Sequence, residues 1–306
     1  MISLKRLTLK DKDSIESFVS KVDPYSDFNF ISLYSWSLHS QTMFYLNHGM
    51  LLLKLPDYNS QEYIFSFMIL DNFKTNFSHI LNYFKKNRLP LSFSLLPEYL
   101  VPNLRNFLDS QQFNYKLKED RGDFDYLIDI KNTLAATGHE YADYRYKLSK
   151  FARTWADQIE PYSFDANNEK DIKQAELLLK EWVLSKKSNE TNYEFESLAF
   201  SRFLQIAQGP SNKINYKAFT RNGALVALSS YEVLNSNQAV GHFIKYSSKI
   251  PNLFYYLVNE TCKDANSLNI RELNIEQDLD IATLRASKMH LRPSGFLKKY
   301  TLEIDG

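Results

Sequence analysis

The sequence predicts a mixed α/β chain of two tandem domains, each a mixed, mostly antiparallel sheet flanked by helices. Three observations predict it. A length of 306 residues is about twice the roughly 150 residues of a typical domain. Apolar runs of strand length alternate with stretches whose apolar residues recur at helical spacing. The order of these elements is similar in residues 1–135 and 136–306, with the first copy the more degenerate.

The first copy opens with a short strand (ISLKRLT), a helix (KDSIESFVSKV) and an aromatic segment (FNFISLYSW). The apolar runs TMFYL, GMLLLKL and EYIFSFMIL suit adjacent antiparallel strands. Helices follow at NFKTNFSHILNYFKKN and EYLVPNLRNFLDS, with LSFSLL between them and FNYKLK and FDYLIDI after them. The segment KNTLAATG, residues 131–138, reads as the junction. The second copy starts with the helix EYADYRYKLSKFART, in which Tyr144, Leu148 and Phe151 share a face. A strand (QIEPYSF), two helices (EKDIKQAELLLKEWVLSKK and FESLAFSRFLQIAQ) and three strands (INYKAFT, ALVALSSYEVL, AVGHFIKY) come next. Asn222-Gly223 between the first two of those strands is a hairpin signal, because both residues tolerate positive φ. The chain then alternates helix (LFYYLVNETCKDA), strand (RELNI), helix (LDIATLRASKM) and strand (LKKYTLEI).

Composition excludes several classes. Apolar residues make up 44% of the chain, with 22 Phe and 20 Tyr, which is ample core material and argues against disorder. With 37 basic against 36 acidic residues the chain is not a basic nucleic-acid module in bulk, although a local basic groove is compatible with that balance. The single cysteine, Cys262, sits among apolar residues of a helix and reads as a buried structural thiol. The six histidines lack HxH or HExxH spacing, so no metal site is expected. His242 reads as an interior strand histidine, and Trp36 and Trp182 as core residues. The first residues lack the apolar run of a signal peptide, and no window reaches the roughly 20 apolar residues of a spanning helix, so a cytoplasmic protein without a transmembrane segment is expected.

Two helices, three antiparallel strands, then helix, strand, helix, strand is the order of the GNAT acyltransferase fold. Near the C-terminus, Asn274-Ile-Glu276-Gln277-Asp278-Leu279 is followed by Leu284-Arg285, Lys288 and Pro293. This stretch resembles the phosphatidylglycerol lysyltransferase C-terminal domain family, whose members carry Asn-x-Glu-Gln-Asp-Leu-Gly and then Leu-Arg-x-x-Lys-x-x-x-x-Pro. Asp27 to Trp36 is similar to the family's N-terminal aromatic segment. Gly138, Arg145 and Phe151 match the opening of its second half, and Lys245 matches a strand-end lysine. Departures are Asp280 where the family has Gly, Ile244 in place of an acid, Tyr144 and Tyr146 around Arg145, and Pro251-Asn252 where a glycine would open the next helix.

The resemblance implies a tandem GNAT protein that moves an aminoacyl group from aminoacyl-tRNA, or a similar activated donor, to an amine or hydroxyl acceptor. It implies tRNA as a partner, a lipid or small-molecule acceptor at a membrane surface, and no resident cofactor. Such transfer needs a base for the acceptor, donors for the developing oxyanion and cations for phosphates. Asp278 and Glu276 are the candidates for the base, with Asn274, Gln277, Arg285, Lys288, Lys245 and Arg145 as binding residues. Spacing alone favours a structural reading, with Asp278 capping the helix, Glu276 and Gln277 bonding backbone, and Arg285 and Lys288 complementing the helix dipole; the family resemblance brings the functional reading level with it. The alternatives are an acyl-CoA-dependent N-acyltransferase and a GNAT-derived binding protein without catalysis. Against acyl-CoA, the segment YSSKIPNLF offers no glycine, and its proline removes one NH from the expected pyrophosphate loop.

Overall fold

The computed structural model describes residues 2–37, 42–47, 49–56, 63–185, 193–208 and 213–305. The chain forms two compact units, residues 1–124 with 297–306, and residues 125–296.

The first unit contains β1 (Lys5–Arg6), α1 (Lys12–Val19), α2 (Phe30–Ser35), β2 (Met43–Asn47), β3 (Met50–Pro56), β4 (Tyr63–Ile69), α3 (Phe73–Lys86), β5 (Ser92–Pro97), α4 (Val101–Ser110) and β6 (Tyr115–Glu119). Strands β1 to β4 form an antiparallel sheet in sequence order. A second sheet places the C-terminal strand, Lys299–Ile304, between β5 and β6, antiparallel to both. Helix α3 shows why this unit condenses. Phe77, Ile80, Leu81 and Phe84 recur at three- and four-residue spacing, and all four are buried against Phe67, Phe93 and Leu104. Lys299, fully buried at the start of the C-terminal strand, forms an ion pair with buried Asp27.

The second unit contains β7 (Asp125–Asp129), α5 (Ile130–Ala135), α6 (Ala142–Trp155), β8 (Glu160–Tyr162), α7 (Glu169–Ser185), α8 (Tyr193–Ala207), β9 (Ile214–Arg221), β10 (Ala224–Val233), β11 (Gln238–Tyr246), α9 (Leu253–Ser267), β12 (Glu272–Asn274), α10 (Ala282–Met289) and β13 (Gly295–Leu297). From β8 to α10 this is the order expected for the GNAT fold. The seven strands lie in the order β13-β7-β12-β11-β10-β9-β8. Strands β11 and β12 are parallel, whereas β7–β12, β10–β11, β9–β10 and β8–β9 are antiparallel. The β9–β10 hairpin turns at Asn222 (φ 51°) and Gly223 (φ 76°), as two residues of positive φ demand.

The division differs from a cut near residue 135 in two ways, each with a backbone cause. Strand β7 precedes the expected junction but pairs residue by residue with β12, from Leu127↔Asn274 to Asp129↔Glu272. The C-terminal strand follows the last helix of the second unit but completes the sheet of the first. Of residues 131–138, read as junction, 131–135 lie in α5 (Ile130–Ala135), capped by the Asp129 carboxylate accepting from Asn132 NH at 2.8 Å. Among the described residues no helix is long and apolar enough to cross a membrane.

Candidate functional site

Strand β12 ends at Asn274, and the chain reaches α10 through residues 275–281. Three residues of this loop, none of them glycine, take positive φ: Glu276 (59°), Leu279 (53°) and Asp280 (57°). Such conformations cost on the order of 1 kcal/mol or more each and persist only where the surroundings enforce them. Asn274, 1% exposed, supplies the first constraint: its Oδ1 accepts from Glu276 NH at 2.7 Å while its Nδ2 donates to Asp125 Oδ2 at 3.1 Å. Asp278, fully buried, supplies the second. Its Oδ1 accepts from Asp280 NH and from Arg285 Nη2, both at 2.9 Å, and its Oδ2 accepts from Arg285 Nε at 2.8 Å and from the Tyr126 hydroxyl. Buried Lys288 supplies the third by donating to the carbonyls of Ile275 (2.6 Å) and Gln277. Backbone bonds to Tyr126, Ile275 NH to its carbonyl and its NH to the Glu276 carbonyl, fix the loop to β7.

Six of the eight candidate residues therefore meet in one polar lattice. Asn274, Asp278, Arg285 and Lys288 hold the loop, and half-buried Glu276 and Gln277 ride on it. Burial alone would raise the Asp278 carboxyl, but bonds from Arg285, Tyr126 and Asp280 NH outweigh it and hold the group below the usual carboxylate range. Its bonds to Asp278 raise the Arg285 guanidinium further still, with Asp280 adding to the effect. An aspartate with both oxygens engaged and a depressed pKa is an anchor by geometry. Nor does it cap α10, whose N-cap is Ile281.

Lys245 and Arg145 lie apart from this lattice. Lys245 is near the end of β11, where β12 pairs only along Gln238–Val240. It lies between two helices, its Nζ 3.0 Å from Glu196 of α8 and 3.8 Å from the ring centroid of Trp182 of α7. A register shift between Ser230 and Tyr231 leaves His242 opposite no residue of β10, a bulge that changes the facing of β11. Buried His242 lies 3.6 Å from the buried Glu232 carboxylate. Ile244 faces the other side and packs against the cores under α9. Arg145 donates to the carbonyls of Ala136 and, at 2.7 Å, Gly138, so it closes the turn before α6. The φ of 86° at Gly138 is a left-handed conformation that suits a residue without a Cβ.

The family model for phosphatidylglycerol lysyltransferase, C-terminal, matches residues 21–303. The chain belongs to this family. No curated protein matches it. A conserved protein of unknown function from Bacteroides thetaiotaomicron superposes with a TM-score of 0.82 at 20% identity over 100% of both chains. The C-terminal domain of a putative lysylphosphatidylglycerol synthetase from Agrobacterium fabrum gives 0.64 at 12% identity, over 97% of this chain and 92% of that one. The structure titled L-PGS from Bacillus licheniformis gives 0.64 at 13%, over 96% and 91%. At these identities the likeness shows the fold.

Against the family motif, the loop explains its own departure. The glycine position is held by Asp280 at φ 57°, where an aspartate is tolerated, and the Asp280 carboxylate gives Arg285 a second acceptor. Sequence reasoning missed Asp125, Tyr126, Glu196 and the ligating side of Trp182. Asp125 and Tyr126 are about 150 residues from their partners, and only strand pairing brings them there. It also missed a cluster beside α6, where Lys147 Nζ meets the Tyr255 hydroxyl (3.0 Å), His290 Nδ1 (3.4 Å) and Asp143 (2.6 Å). Cys262 is fully buried, and burial pushes its thiol up to about 12, which fits a structural residue. Among the described residues no group of three or more His, Cys, Asp or Glu side chains is placed to hold a metal ion.

Proposed function

We propose that the second unit transfers an aminoacyl group from aminoacyl-tRNA to a hydroxyl or amine acceptor, with Glu276 as the general base and Lys245 receiving an anionic group of the acceptor. The acceptor, on this reading, is a phosphate-bearing lipid at a membrane surface, the class named for the family. The observation that carries the reading is the loop 275–281: three left-handed residues in a row of five, held by a buried polar lattice at the end of β12. Backbone strain maintained by that many dedicated contacts is characteristic of sites that must present a group in one geometry. In the reaction the acceptor O–H or N–H bond gives its proton to the Glu276 carboxylate, and the acceptor atom attacks the ester carbonyl. The bond to the ribose oxygen then breaks, and that oxygen takes the proton back. Asn274 and Asp278 fix the backbone that carries Glu276.

The loop before α9 supports an ester of tRNA over acyl-CoA. Asn252 opens α9 at φ 66°, and the NH groups of Ile250 and Leu253 already bond to Ser247 and Ile250 carbonyls. The Ser247 hydroxyl and, at 3.0 Å, Lys249 Nζ bond to the Glu181 carboxylate, whose pKa the Ser247 bond lowers first and the Lys249 bond second. A pyrophosphate docking here would meet that carboxylate. The test is transfer of a radiolabelled aminoacyl group from charged tRNA to a lipid extract. Glu276→Gln should abolish transfer at an unchanged melting temperature; full transfer by that variant would overturn the assignment.

A further inference from the structure

Lys245 shares its place with a carboxylate of its own chain. The lysine is 8% exposed, and its ammonium is bounded by the Trp182 ring at 3.8 Å and the Phe243 ring at 5.7 Å. Among the described residues the anion that pairs with it is Glu196, whose Oε2 lies 3.0 Å away and is buried, yet makes no well-directed hydrogen bond. A pair of this kind collects charge attraction without the directed bonds that make buried ion pairs strong. Glu196 also has a second favourable position, because it stands in the first turn of α8, where a carboxylate is stabilised by the helix dipole whether or not it touches Lys245. Val183 beside Trp182 on α7, and Phe195 and Leu198 beside Glu196 on α8, are half-buried. Both helices that flank the pair therefore carry partly exposed apolar residues.

We propose that Glu196 is an internal place-holder: it occupies Lys245 in the free protein and is displaced by a phosphate or phosphodiester group, which then bonds to the Lys245 ammonium over the Trp182 ring. This rests on the reading that Lys245 receives the acceptor. Displacement separates Glu196 from the lysine while leaving it on the helix terminus, so the entering anion competes with one poorly directed ion pair. The pair therefore sets a threshold. Anions that bring apolar contacts to α7 and α8 displace it, and weakly bound small anions do so less readily. A purely structural pair behaves differently: neutralising Glu196 then leaves a buried unpaired ammonium, lowers stability and creates no affinity for phosphate.

The experiment measures binding by calorimetry to the full chain with three probes: inorganic phosphate, glycerol 3-phosphate and monomeric dihexanoyl phosphatidylglycerol. Glu196→Gln keeps the side-chain size and removes the competing charge, and it should bind the phosphodiester about tenfold more tightly than the parent. A gain for all three probes identifies a site that reads phosphate alone, and a gain confined to the lipid identifies a site that also reads the acyl chains; either supports the place-holder. The double variant Glu196→Gln/Lys245→Met should lose the gain. No gain with any probe in a Glu196→Gln protein that melts like the parent overturns the proposal, as does a gain that survives loss of Lys245. Should Glu196→Gln fail to fold, Glu196→Asp retains charge on a shorter arm and should give a smaller gain in the same assay, its absence being equally decisive. Binding is read without turnover. A gain in a protein inactive with charged tRNA leaves this inference standing and removes the transferase reading, whereas active transfer without a gain removes only this inference.

Discussion

Asp278→Asn separates an anchor from a catalyst. The substitution keeps the size of the side chain but removes the charge that Arg285 grips with two nitrogens at 2.8 and 2.9 Å, and it gives the Tyr126 hydroxyl a weaker acceptor. Breaking a buried ion pair costs about 3–5 kcal/mol. Arg285 is 37% exposed on its side chain, so water takes up part of the loss, and about 2–3 kcal/mol is the appropriate figure. At about 2–4 °C per kcal/mol for a domain of this size, the melting temperature of the second unit should fall by about 4–12 °C. Trp155 and Trp182 both lie in that unit, so the transition can be followed by tryptophan fluorescence at pH 7. Arg285→Ala should cost less than Asp278→Asn, since it leaves Asp278 with Tyr126 and the Asp280 NH. The double variant should be less damaging than the sum, with a coupling of about 1–3 kcal/mol. Melting within 2 °C of the parent, together with lost aminoacyl transfer, would show that Asp278 reacts instead of anchoring.

Acid should unfold the second unit in a window set by the same group. The folded pKa of Asp278 is depressed, so its stabilisation is fully present above about pH 4 and is lost as pH falls through the folded value; Asp278→Asn should flatten that limb of a stability–pH curve. Lys288→Met leaves the buried Ile275 carbonyl and the part-buried Gln277 carbonyl without their donor and should cost about 2–4 kcal/mol in a thermal melt, with little effect on the first unit. Removing residues 297–306 takes the central strand from between β5 and β6 and should unfold the first unit, seen as loss of its proteolytic protection. Cys262 should react with a thiol reagent at the rate of unfolding and no faster. Acetyl-CoA should give no binding heat, and tight binding with contacts at residues 247–254 would contradict the reading of the Glu181-linked loop.

The fold was legible where local pattern and tertiary partner agree. Helix α3 carries its apolar stripe at helical spacing, and the β9–β10 hairpin carries its turn in Asn222-Gly223, so both can be read without knowing what they touch. The division into units was less legible, because nothing in Asp125–Asp129 or Lys299–Ile304 states which sheet will accept the strand. Backbone pairing is indifferent to much of the side-chain pattern, and a strand distant in sequence can fill a gap as well as a near one. The lattice was half legible. The acids, amides and cations from Asn274 to Lys288 stand close together in the chain, but Asp125 and Tyr126 complete their bonds from the far side of the sequence. Trp182 reads as a core residue because its helix position is apolar; that its ring faces an ammonium depends on where β11 delivers Lys245.

The polar residues that look like one catalytic set in the sequence divide, in three dimensions, into those that shape the backbone and those that ride on it. A buried carboxylate with every oxygen satisfied is poorly suited to accept a substrate proton, since its depressed pKa makes it a weak base and its partners must be broken before it can move. Those same properties suit it to enforce left-handed residues that would otherwise relax. Asp278, Arg285 and Lys288 are dense in charge because three strained backbone positions need strong, directional restraint, and charge-assisted bonds supply it. On the proposed function, chemistry is left to side chains on the restrained loop and to Lys245, one strand away on β11. In this protein the density of polar residues marks the place where geometry is fixed, and Glu276, half-buried at φ 59° within that lattice, is the group whose position the lattice controls.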